Sequence, residues 1–152
     1  QADSHFVEHH IKENKANSVS LLFVQQGSKA DIEKSDSHCY QLTLYLTGTS
    51  CLYFSDEPQR LVGRIHYEDF IKIWQKNNIQ PNAVLEGEYS ISGKIQTINY
   101  VGVLSQSQFD KMHATMQYKI CVTDPKFERI QLPAQLTKVN LFIDPLNGGQ
   151  WG

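Results

Sequence analysis

The chain has 152 residues, with 14 Lys and Arg against 16 Asp and Glu, so the net charge is −2 and no basic stripe marks a nucleic-acid partner. It is 40% hydrophobic, 20% charged and 11% aromatic, the balance of one globular domain with a core of its own. No apolar run approaches the ~18 residues that a membrane span needs. Residues 1–17 are polar, with His5, His9 and His10 among Glu, Lys and Asn, and read as a loose helix or a flexible segment. A single β-rich domain is expected over 18–152. Residues 19–25 (VSLLFVQ) are apolar on both faces, as in a central strand. Residues 26–37, with Gly27 and many charges, read as a loop or frayed edge.

The most organised stretch is 39–60, CYQLTLYLTGTSCLYFSDEPQR. Tyr40, Leu42, Leu44 and Leu46 alternate with Gln41, Thr43, Tyr45 and Thr47, the period of a half-buried strand. Gly48 offers a turn. Leu52 and Phe54 are expected to resume the apolar face, with Cys51 and Tyr53 opposite. Asp56 and Pro58 then break the strand. Residues 61–65 read as a short strand, and 67–77 (YEDFIKIWQKN) as the one convincing helix. Phe70, Ile71, Ile73 and Trp74 form its apolar stripe, Glu68 and Asp69 sit in the first turn, and Pro81 forbids continuation. Further strands are expected at 84–91, at 94–104, where the apolar face switches between Ile98 and Val101 as at a bulge or in a buried strand, at 112–122 and at 139–143. Trp151 is expected to fold back onto an edge. The resulting expectation is a mainly β protein of about seven or eight strands with one short helix, as an immunoglobulin-like antiparallel sandwich or a small β-barrel.

The three cysteines are Cys39, Cys51 and Cys121. If 39–47 and 51–55 form a simple hairpin, Cys39 and Cys51 lie roughly 20 Å apart, beyond disulfide reach. An intramolecular bridge would then join Cys121 to one of them, and three free thiols are the alternative. The start at Gln1-Ala2, without Met, leads us to expect removal of a signal peptide from a bacterial protein that is secreted or periplasmic.

The run LYFSDEPQRLVGRIHYEDFIKIW, followed by PNAVLEGE, resembles an uncharacterised family of exported bacterial proteins. The resemblance rests on Tyr53, Phe54, Ser55, Asp56, Pro58, Arg60, Gly63, Phe70, Trp74, Pro81, Asn82, Ala83 and Leu85, and extends over about residues 40–143 to the closing LFID. Gln80 stands where that family carries a second Pro. The resemblance implies an exported β-rich domain and no particular activity.

No zinc-protease HExxH, nucleophile elbow, P-loop or dinucleotide fingerprint is present in the sequence. The pairs Asp56/Glu57 and Glu68/Asp69 read as caps and solvated charges, and a thiol–imidazole pair of Cys51 or Cys121 with His113 has nothing in the sequence to assemble it. Asp56 and Arg60 are expected to form a structural ion pair; the functional alternative is a cleft in which Arg60, Asn82 and Tyr53 hold an anion or sugar. Aromatic and Arg side chains anchor interfaces, which makes Tyr53, Asp56, Arg60, Arg64, Tyr67 and Asn82 the candidate contacts for a protein or carbohydrate partner. His5 and His9, four apart, are a half-site for a transition metal, and Asp3-Ser4-His5 would wrap Cu(II) if the chain began at Asp3. No other cofactor is expected. The function expected is a non-enzymatic binding module, with a hydrolase of unnamed residues as the alternative.

Overall fold

The computed structural model describes residues 2–13, 21–55, 60–124, 126 and 128–144. In chain order the elements are α1 (Ala2–Glu13), β1 (Leu22–Asp36), β2 (Cys39–Leu46), β3 (Ser50–Ser55), β4 (Leu61–His66), α2 (Tyr67–Lys76), β5 (Asn82–Ile91), β6 (Lys94–Asp110), β7 (Thr115–Cys121) and β8 (Gln135–Asp144). The protein is mainly β, and all eight strands join one antiparallel sheet in the order β2-β7-β6-β5-β8-β1-β3-β4, with a further pairing of β2 to β1. That extra pairing closes β1, β2, β7, β6, β5 and β8 into a ring, so the sheet takes the barrel form of the antiparallel architecture. The β3–β4 hairpin hangs outside the ring on the edge of β1. No helix among the described residues is long and apolar enough to cross a membrane.

Alternation fills the barrel. Tyr40, Leu42 and Leu44 of β2 face inward with Met116, Tyr118 and Ile120 of β7, Leu85 of β5, Tyr100 and Leu104 of β6, and Leu141 and Ile143 of β8. Helix α2 closes one end. Its stripe of Tyr67, Phe70, Ile71, Ile73 and Trp74 is buried. Phe70 meets Phe23 edge-on at 4.9 Å between ring centroids, and Trp74 packs on Tyr118 at 5.6 Å. Helix α1 lies beside it, with Val7 buried and Phe6 stacked on Tyr53 at 5.8 Å. At the opposite end the segment before β8 folds inward. The Leu132 N–H donates to the Tyr40 hydroxyl at 3.2 Å, and the Ile32 N–H to the Ala134 carbonyl at 2.8 Å.

Several expectations change. Residues 26–36 belong to β1, because Gly27, Ala30 and Ile32 take the inward positions and the charges alternate outward. A register shift between Gly27 and Lys29 carries the pattern across a bulge. β2 and β3 do not pair as a hairpin; each takes part of the same edge of β1. This reverses the face expected for β3: Cys51, Tyr53 and Ser55 are buried, and Leu52 and Phe54 lie on the outer side. The irregularity in β6 falls between Ser105 and Gln108, not between Ile98 and Val101, where pairing with β5 is continuous. Met112 is exposed in the turn before β7. The expectation for Trp151 lies outside the described residues.

Cys39 and Cys121 are direct cross-strand partners, with Cα atoms 4.1 Å apart, and form the disulfide; Cys51 is free and buried. The bridge spans 82 residues, so it restricts the unfolded chain strongly. Removing it by Cys39→Ser with Cys121→Ser is expected to cost about 2–4 kcal/mol in denaturant melts. In the oxidised native protein a thiol reagent should find no reactive site, and under denaturation without reductant it should label the single free cysteine. Labelling of the native protein would contradict the burial of Cys51.

Candidate binding site at the helix end of the barrel

The end capped by α2 owes its chemistry to β1. Along one edge, β1 pairs with β3 at Leu22–Val24 and with β2 from Gly27 onward. Between these runs the chain turns through residues 47–49, where Gly48 adopts φ +79°. The Thr47 N–H donates to the Gln26 carbonyl at 2.9 Å, and the Tyr67 N–H donates to the Thr49 carbonyl at 3.1 Å. The handover leaves a buried polar group inside the barrel. The Tyr118 hydroxyl donates to Gln25 Oε1 at 2.7 Å, the Cys51 thiol points at the Val24 carbonyl at 3.4 Å, and the Tyr67 hydroxyl is hydrogen-bonded to the backbone of Gln26. Burial raises the pKa of the Cys51 thiol and of the Tyr67 and Tyr118 hydroxyls, so all three stay protonated. A buried, protonated thiol is a structural group, not a nucleophile.

A cavity of about 270 Å³ opens beside the first turn of α2. Leu46, Tyr67, Phe109 and Ala114 give it an apolar floor, and Thr49, His66, Glu68 and Lys111 line its rim. The Tyr67 and Phe109 rings lie 6.0 Å apart. Lys111 Nζ reaches Glu68 Oε1 at 2.9 Å across the mouth, and this hydrogen bond and charge hold the Glu68 carboxyl below its usual range. A second cavity, of about 200 Å³, lies at the other end of α2 between Trp74 and residues 105–107 of β6.

Of the residues singled out from sequence, Tyr67 lines the first cavity. Tyr53 is buried beneath Phe6, and Asn82 is buried at the start of β5. Arg64 is exposed on β4 and clamps Ser50, with Nε 2.8 Å from the hydroxyl and a second nitrogen 3.0 Å from the carbonyl. Arg60 is exposed just before β4, and Asp56 lies outside the described residues. Packing explains part of the motif: Tyr53 and Gly63 are cross-strand partners, and a Cβ on Gly63 would collide with the Tyr53 ring. His5 and His9 are both exposed on α1, and no group of three or more metal-ligating side chains occurs among the described residues. The thiol–imidazole pair is not assembled. Cys121 is in the disulfide, Cys51 is buried, and His113 sits in the turn before β7 with Asp110 at 2.7 Å. Sequence reasoning missed Phe109 and Lys111, which closure of β6 onto β7 brings opposite α2; the only signal was the good alternation of the strand that follows. No family model, curated protein or solved structure matches the chain.

The Lys111–Glu68 pair makes a titration test. Because the folded Glu68 carboxyl titrates below its unfolded value of about 4.3, the pair contributes above that pH and fades as pH falls through the folded value. In Lys111→Ala, the Glu68 carboxyl followed by NMR should titrate higher than in the parent, with little change in melting temperature, since exposed pairs add little. An unmoved Glu68 titration would break the assignment.

Proposed function

We propose that this protein is an exported binding module that engages its partner at the α2 end of the barrel and does not turn over a substrate. The observation that carries this reading is the cavity at the start of α2. An apolar floor beneath a charged rim is the composition of a site that receives one apolar group and orients it with a few polar contacts. Barrel mouths and the loops around them are common places for such sites. The side chain of a partner protein suits it well: an aliphatic or aromatic residue would enter between Phe109 and Leu46, and flanking charges would meet Lys111 and Glu68. Against catalysis stands the state of the best nucleophile, since Cys51 is sealed in the core. The Cys39–Cys121 disulfide agrees with residence in an oxidising compartment, and the family resemblance carries the same expectation of export.

The test fills the cavity from its rim. Thr49 is exposed and contributes only its backbone carbonyl to the fold contacts described above, so Thr49→Trp should preserve the melting temperature while occupying the mouth. The probe is 1-anilinonaphthalene-8-sulfonate, whose fluorescence should rise with the parent and fall at least about fivefold in Thr49→Trp. A panel of ester, glycoside, phosphate and peptide substrates should show no turnover above a heat-treated control. Dye binding that ignores the substitution would remove the cavity from consideration, and reproducible turnover abolished by one substitution would replace the binding module with a hydrolase.

A further inference from the structure

The second cavity has a different chemistry, and the geometry points to a subsite there for a neutral, polyhydroxylated ligand, a single sugar ring of a larger glycan. The inference does not rest on the cavity at the start of α2. Nothing in the lining is charged: Trp74 and Ile79 supply the apolar wall, and the remaining groups are amides and hydroxyls. The Gln75 amide is already committed, donating to the Ser107 carbonyl at 3.0 Å and tying α2 to β6. Among the described residues, the side chains of Asn78, Gln80, Ser105 and Gln106 make no hydrogen bond to the protein. Three exposed amide residues and the half-buried Ser105, none of them committed to a protein partner, therefore line one depression. Each amide offers both donors and an acceptor, the combination that matches adjacent hydroxyls, whereas an anion or a cation would find no counter-charge.

At Gln106 the backbone places a lining residue of this depression at some cost. Asn78 and Gln106 both adopt left-handed conformations, with φ of 49° and 52°. Gln106 occupies the extra position where β6 and β7 lose register between Ser105 and Gln108. A bulge of this kind re-aims a side chain, and strained non-glycine residues persist where the surrounding structure holds them and tend to gather at ligand sites. Asn78 follows the C-cap of α2, with its N–H on the Gln75 carbonyl and the Ile79 N–H on the Trp74 carbonyl, an ordinary left-handed helix ending; Gln106 is the strained position, where glycine would fit more easily. The size agrees: about 200 Å³ is below the roughly 300–1,000 Å³ of sites for drug-sized molecules, enough for one ring with the rest of the chain outside.

The two left-handed positions allow a test that separates binding from folding. The double variant Asn78→Gly with Gln106→Gly removes two amides where glycine suits the backbone, so its melting temperature should equal or exceed that of the parent. The probes are maltose, cellobiose, xylobiose and diacetylchitobiose, with digalacturonic acid as the charged control, measured by saturation-transfer NMR and titration on the intact oxidised protein. At least one neutral disaccharide should bind and the acid should not. Affinity should fall at least about tenfold in the double variant and in Gln80→Ala, and remain unchanged in Thr49→Trp. Absence of any neutral-sugar signal, binding that survives the double variant, or preference for the acidic control would each overturn the subsite.

Discussion

The fold depends on one strand having more neighbours than a strand has edges. β1 holds β8 along Phe23–Asp31 on one side and shares the other side between β3 and β2. Fifteen residues make this division possible. The pairing with β2 closes the ring, and the pairing with β3 carries the chain outside it and back through β4 into α2. The closed ring leaves no free edge of its own, which removes a common route to aggregation. The handover between β2 and β3 has a chemical consequence. Where the ladder on that edge is interrupted, the backbone of Gln26 and its neighbours is met by Thr47, Cys51 and Tyr67, and Gln25 turns inward to Tyr118. A barrel this narrow is filled by side chains, and here the filling includes a small polar core beneath the helix.

Helix α2 converts that closed solid into something with a surface to offer. It seals the barrel with five buried residues, but a helix lying across a round opening leaves gaps at both of its ends. One gap is bounded by the turns that follow β2 and β6 and has a charged rim; the other is bounded by the β6 bulge and is neutral. The two ends of a single packing element thus present different chemistries about one helix length apart. The disulfide works at the opposite pole, joining β2 to β7 near the inward-folded segment that Tyr40 anchors.

Much of this was legible from residues. The alternation of β2, the boundaries and buried stripe of α2 and the turn at Gly48 all follow from local chemistry, which the tertiary structure leaves in place; the bridge does use Cys121, although the hairpin from which that was expected does not form. The second half of β1 was hidden because its inward positions are filled by Gly27 and Ala30, residues too small to announce a core, and because the bulge at Ser28 shifts the parity. β3 was read on the wrong face because Leu52 and Phe54 outweigh Cys51 and Ser55 in hydropathy; the neighbour that decides the face, β1, is distant in sequence. The cavities were illegible for a related reason. Phe109, Lys111 and Gln106 look ordinary in sequence, and only closure of the ring sets them against α2. Of the expected contacts, Tyr53 and Asn82 are buried, and Tyr53 over Gly63 shows how a motif can record steric fit.

The order of strands around the ring carries one more consequence. β8 sits between β5 and β1, yet it is the last strand in the chain. The first seven strands can pair as an open sheet, with β2 and β7 already adjacent and their cysteines within reach of each other, before β8 joins. Until that moment β5 and β1 expose two long unpaired edges facing one another. Pairing of this final stave closes the ring and leaves β4 as the outer edge, so a chain cut short before β8 would keep both long edges open to misassociation.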